Sequence, residues 1–196
     1  EGIISGQFPR GSKLKQAQIA EMIGTSITPV REAIKLLEAE GYVLGSSHRG
    51  AIVAPFDMHA TEEIVDLRVT LESKLALRAL GQLTQEHIEE LRRLQSEFEA
   101  AREVGDRDKV RSLNYRFHEL IYMAADLPLT LQFVRALWAR YPFDLINKVE
   151  KRIDRATNEH REMLSAILTR DEAAMLSALR THVRAGWEEF KANYTE

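Results

Sequence analysis

The sequence predicts a mainly α protein: a small N-terminal unit of two helices and a β-hairpin, then an all-helical bundle. Three observations carry this. Two helical segments meet at a glycine corner within residues 16–43. Two short apolar runs, 42–44 and Ala51–Val53, flank a turn region from Gly45 to Gly50, the pattern of a hairpin. Beyond Pro55-Phe56-Asp57 apolar residues recur at helical spacing almost to the end of the chain. The expected division is residues 1–56 and 57–196.

Composition narrows the class. A chain of 196 residues suits one or two domains. No apolar run approaches the roughly 20 residues that cross a bilayer, and no signal peptide is visible. There is no cysteine, which excludes a disulfide framework and thiolate chemistry. A cytoplasmic protein without a membrane role is expected. The net charge of -3 divides unevenly: residues 1–56 hold six Lys/Arg against five Asp/Glu, the remainder 21 against 25. So mildly basic a unit binds phosphate by gathering its cations on one face, and best as two copies acting together.

Taking the elements in order, the first helix turns Ile19, Ala20, Met22 and Ile23 inward and ends at Gly24, since glycine readily takes the positive φ of a helix C-terminus. Thr25 and Ser26 offer hydroxyls to cap the next helix, and Pro29 suits its first turn. That helix carries Val30, Ala33, Ile34, Leu36 and Leu37 on one face and closes at Gly41. The pair is a helix-turn-helix whose second helix is placed to enter a DNA major groove. The hairpin makes it a winged helix, with His48 and Arg49 at the wing tip in reach of phosphates or a minor groove. Glycine-cornered helical hairpins are also common structural motifs; the wing is what favours DNA.

In the bundle, a helix over 59–80 turns Ile64, Leu67, Leu71 and Leu75 inward and stops at Gly81. Thr84 caps the next, whose Glu/Arg pairs mark a solvated face. A third opens at Gly105-Asp106 and ends before Pro128. A fourth spans 129–140 and breaks before Pro142. After the short piece FDLINKV come a long helix around 154–169 and a last one from Asp171. Six or seven helices exceed one four-helix motif.

His48, His59 and His87 sit in solvated surroundings. At about 100° per residue, His118 lies at the edge of the apolar face formed by Leu113, Phe117, Ile121 and Ala124. His160 lies in line with Met163, Leu164 and Ile167, and His182 with Met175, Leu179 and Val183. Asn114 precedes His118 by one turn. A lone histidine on such a face is usually a satisfied core residue. Three from three helices each need polar partners when buried. A shared metal, with Asn114 supplying a carbonyl oxygen, would satisfy them together. A metal-free structural cluster is the alternative.

The first 50 or so residues resemble the GntR family of bacterial transcription regulators. The likeness rests on Gly6, Pro9, Gly11, Leu14, Ile19-Ala20, Gly24, Ser26, the run TPVREA from Thr28 to Ala33, Leu37 and Glu40-Gly41. Ile27 stands where the family often has arginine, which removes one expected cation from the DNA face. The chain also starts within what corresponds to the family's first helix, so a trimmed N-terminus is expected. The bundle resembles the FCD effector domain of the FadR-like subclass, through NYRFHELIYMAAD, EHREMLSAI and the histidine of LRTHV. The resemblance implies a divalent metal (zinc foremost, otherwise nickel or manganese) between an aspartate and three histidines. Here the histidines are His118, His160 and His182, with Asn114 in the aspartate's place. It also implies an arginine lining the effector pocket, matched by Arg68; a surface ion pair is the competing expectation.

The expected function is therefore a ligand-responsive regulator that binds operator DNA as a homodimer, with a small carboxylate effector in a metal-containing pocket of the bundle. Ser26, Thr28, Arg31 and Arg49 are the expected DNA contacts. Otherwise Ser26 only caps and Arg31 only pairs with Glu38 or Glu40. The rivals are the same regulator with a metal-free pocket for an organic or acyl effector, and a metal-dependent helical enzyme. The enzyme lacks a general base at a telling spacing and would leave the winged helix superfluous.

Overall fold

The computed structural model describes residues 2–3, 6–45, 51–146 and 152–193. Helices α1 (Gln16–Ile23) and α2 (Ile27–Ala39) form the expected corner. Gly24 takes φ 69°, and the Thr25 N–H closes the turn on Ala20 O at 2.9 Å. Ser26 is the N-cap of α2 through its backbone, but its hydroxyl makes no capping bond, contrary to the expected side-chain cap. Strands β2 (Val43–Leu44) and β3 (Ala51–Val53) pair antiparallel with Val43 opposite Val53. A third strand, β1 (Lys13–Leu14), pairs with the other edge of β3 with Leu14 opposite Ala51, so the order is β1-β3-β2. The wing tip, with His48 and Arg49, lies outside the described residues.

The small core of this unit holds Leu14, Ala20, Val30, Ile34, Val43, Ala51 and Val53. The inward faces expected of α1 and α2 are narrower than predicted: Met22, Ile23 and Leu36 are exposed, Leu36 to 68%. Two short helices over a three-stranded sheet cover one stripe each. Ile19, Ile23, Ala33 and Leu37 instead border an open apolar groove of about 400 Å³.

The bundle consists of α3 (Met58–Leu80), α4 (Gln85–Glu103), α5 (Arg107–Met123), α6 (Pro128–Arg140), α7 (Phe143–Ile146), α8 (Arg152–Thr169) and α9 (Glu172–Asn193). Asp57 caps α3 by accepting from the His59 and Ala60 N–H groups. Thr84 caps α4, and His87 answers it: its Nδ1 accepts the Thr84 N–H at 3.2 Å, so this histidine completes a capping box rather than merely facing solvent. Helix α3 packs on α9, α6 and α5, α4 on α5 and α8, and α8 on α9. Leu67 is 43% exposed and Leu71 only half buried. The inner stripe of α3 runs through Ile64, Val65, Arg68, Glu72, Leu75, Ala76 and Ala79. Its centre is charged, and that displaced the predicted apolar face. Among the described residues no helix is long and apolar enough to cross a membrane.

The two units touch through α6. Ala139 packs into the small N-terminal core. The Arg10 guanidinium donates to Ala54 O (3.3 Å) at the end of β3, and to Ala139 O (3.3 Å) and Tyr141 O (2.5 Å) at the end of α6.

Candidate functional site

Helices α5, α8 and α9 bring His118, His160 and His182 together in the bundle interior, all three buried. One ring nitrogen from each lies within 4.8 Å of the others. The Nε2 atoms of His118 and His182 are 2.9 Å apart. His160 stacks on Phe117 at 4.4 Å between ring centroids, and its Nε2 is buried without a hydrogen-bond partner among the described residues.

The opposite ring nitrogens face outward to fixed partners. His160 Nδ1 meets Gln95 Oε1 at 3.0 Å. The orientation of that amide is set because Gln95 Nε2 donates to Glu99 Oε1 and Thr157 O. His182 Nδ1 meets Glu159 Oε2 at 2.8 Å. His118 Nδ1 has the Tyr122 hydroxyl at 3.4 Å. Acceptors at Nδ1 place the proton there and turn the Nε2 lone pair inward, the arrangement by which outer groups orient metal-binding imidazoles. The rings are also held neutral. Burial pushes His118 down to about 4, with Arg68 and Arg152 adding to it while Glu72 and Glu159 oppose. Burial, then the neighbouring imidazole charges, push His160 and His182 well below the ordinary value. Neutral imidazole is the metal-binding form. The donor set and the orphaned His160 Nε2 therefore fit a divalent ion that accepts nitrogen ligands.

Around the histidines lies a shell of buried charge that sequence reading missed except for Arg68. Arg68 is buried, not a surface pair. Its Nε donates to Glu72 at 2.6 Å, and its guanidinium lies over the Tyr141 ring at 4.2 Å. Glu72 also accepts from the Trp138 indole (2.9 Å) and the Tyr122 hydroxyl (2.8 Å). Glu159 accepts from Arg152 Nη1 at 2.9 Å, and Arg152 Nη2 reaches His182 O at 3.1 Å. Two adjoining pockets open here. Arg68 and Asn114 line both; His182, Arg152, Tyr141 and Gly186 line one, and His118, Arg111, Tyr115 and Trp138 the other. Asn114 is half buried, one turn before His118 on α5, and faces the space beside the histidines. The one local signal for the missed shell is the Arg68–Glu72 spacing, four residues apart on a helix.

In the N-terminal unit Ser26, Thr28 and Arg31 are exposed along the start of α2. Arg31 makes no ion pair among the described residues, with Glu38, Glu40 or any other carboxylate; the pair found on this face is Lys35 with Glu32.

Comparison with known proteins agrees with both halves. The family model for bacterial regulatory proteins of the gntR family matches residues 1–53, and that for the FCD domain residues 63–185. The chain is 32% identical over 187 residues to the probable D-xylose utilization operon transcriptional repressor of Paenarthrobacter nicotinovorans, covering 93% of this chain and 81% of that protein. It is 28% identical over 173 residues to the HTH-type transcriptional regulator McbR of Escherichia coli (strain K12), covering 85% and 77%. The solved structure of E. coli McbR/YncC superposes with a TM-score of 0.85 at 24% identity, over 99% of this chain and 93% of that one, and shows the shared fold. With its exposed second helix, three-stranded sheet and buried pocket, this chain belongs to the GntR family of DNA-binding transcriptional regulators with an FCD domain, and it is not an enzyme.

Proposed function

We propose that this regulator holds one divalent metal, zinc foremost, on His118, His160 and His182, and senses a small carboxylate beside it. The supporting observation is that each Nδ1 is engaged from outside while the Nε2 atoms converge. Asn114 would be a neutral fourth ligand through its carbonyl oxygen. A bound ion would supply Lewis acidity and positive charge to fix a carboxylate oxygen. The metal-free reading draws on the 2.9 Å contact between His118 and His182, a hydrogen-bond distance, but leaves His160 Nε2 without a partner among the described residues.

The division falls at residue 56/57, and the protein acts as a homodimer on a two-fold operator, each α2 entering one half-site. Ser26, Thr28 and Arg31, with Arg49 from the wing, contact the DNA. The pocket reaches the reading unit through Tyr141. Its ring lies under Arg68, and its carbonyl accepts from Arg10, which also bonds the end of β3. A ligand that draws on Arg68 thus biases the seat of the winged helix.

Elemental analysis of untagged protein tests the metal, with one ion per chain expected and loss in His160→Ala. No metal in native protein, and no melting shift with added zinc or nickel, would refute it. Light scattering tests the dimer; a monomer both free and on DNA at micromolar concentration would refute that part.

A further inference from the structure

The two adjoining pockets hold one buried cation that the protein engages only in part. Three buried arginines line them: Arg68 both, Arg152 one and Arg111 the other. Two buried carboxylates answer them, and each is already committed. Glu72 takes Arg68, Trp138 and Tyr122, and Glu159 takes Arg152 and His182. Arg111 is left. Its Nη2 reaches Asp108, but that carboxylate is 74% exposed, so water weakens the pair. Its Nε is buried with no hydrogen-bond partner among the described residues. An arginine side chain only 8% exposed, with an idle donor on a pocket wall, gains from a further anion there.

The position of Arg111 gives the ligand its shape. Arg111, Asn114 and His118 fall on one face of α5, seven residues or about two turns end to end. All three line the same pocket, together with Arg68 and the rings of Tyr115, Trp138 and Phe143. The slot therefore has a cation, Arg111, at one end and the neutral polar groups of Asn114 and His118 at the other, with Arg68 also on its wall.

We propose that the effector is a dianion of the short dicarboxylate class. One carboxylate seats at the Asn114–His118 end and the other on Arg111, whose planar fork suits a carboxylate. This rests on the effector reading above but adds a second anionic group and the residue that selects it. A monocarboxylate fills only the first position and leaves the idle Nε of Arg111 unused.

The test uses the full chain, zinc-loaded and metal-free, with metal content measured separately. Malonate, succinate, glutarate and adipate are titrated calorimetrically against acetate, propionate and butyrate. At least one dicarboxylate should bind tenfold or more tighter than every monocarboxylate. Arg111→Gln should abolish that difference while leaving monocarboxylate binding within about twofold, and Arg111→Lys should restore part of it. Circular dichroism checks that the variants fold, and the wild-type comparison needs no variant. Equal binding of the two series, no binding of any dicarboxylate, or a selectivity that survives Arg111→Gln would each overturn the proposal. Dicarboxylate selectivity without metal uptake would uphold Arg111 and reject the metal instead. Selectivity without any effect on DNA mobility shift would uphold the site and reject its regulatory coupling.

Discussion

Glu159 joins the metal reading to the stability of the bundle, and Glu159→Gln separates the two. The carboxylate is buried, accepts from Arg152 Nη1 at 2.9 Å, and meets His182 Nδ1 at 2.8 Å through the same oxygen. Glutamine keeps the shape and one acceptor oxygen but removes the charge. Arg152 is then a buried cation without its counter-ion. Removing one partner of a buried pair costs about 3–5 kcal/mol, and the retained acceptor places the expected loss near the lower end, about 3 kcal/mol. For a chain of this length that lowers Tm by roughly 6–12 °C. A second effect is independent of the first. The amide holds the His182 tautomer less firmly, and loss of such an outer partner weakens metal affinity by about 10–100-fold. Differential scanning calorimetry of metal-stripped protein reads the first effect, and competitive zinc titration reads the second. A Tm within about 2 °C of wild type together with unchanged zinc affinity would refute the role given to Glu159. A large Tm loss with unchanged zinc affinity would retain the charge argument and reject the orienting one.

Arg31→Ala should weaken operator binding by about 1–3 kcal/mol with an unchanged helical spectrum; equal mobility shifts would remove Arg31 from the interface. Arg10→Met should leave effector binding intact while reducing the effector's influence on DNA affinity, because it cuts the bonds from Ala139 O and Tyr141 O to the winged helix. Full response to ligand in that variant would show that coupling runs elsewhere. Asn114→Asp should tighten zinc binding by adding a negative ligand, and unchanged zinc affinity would place Asn114 outside the coordination shell. Metal-stripped protein should lose stability on acidification. The buried histidines titrate below their ordinary value, so the unfolded chain binds protons that the native state refuses. This contribution is full above about pH 6.5 and is lost as pH falls towards 4, by up to about 1.4 kcal/mol per pH unit for each histidine. Urea unfolding that gives equal stability at about pH 7 and pH 5 would contradict this.

The winged helix was legible because its signals are local: the Gly24 corner, the apolar spacing of Val30 and Ile34, and the two runs of the hairpin each lie within a few residues. Strand β1 was not. Two residues carry no period, and Leu14 becomes a strand only by pairing with Ala51, far along the chain. The histidines were legible as a trio because each sits in the apolar stripe of its own helix, where a polar residue stands out against Met163 or Leu179. Their charged shell was hidden for the opposite reason. Arg111 and Arg152 stand near helix starts among other charged residues, where solvation is the ordinary expectation. Glu159 and Gln95 look like surface positions until α4, α8 and α9 close over them. Leu67 erred the same way: the spacing of apolar residues on α3 was read correctly, but Arg68 and Glu72 took the inner stripe. Periodicity tells which residues share a face of one helix. Whether a charge on that face meets water or a counter-charge depends on the helix packed opposite, and only the assembled bundle decides that.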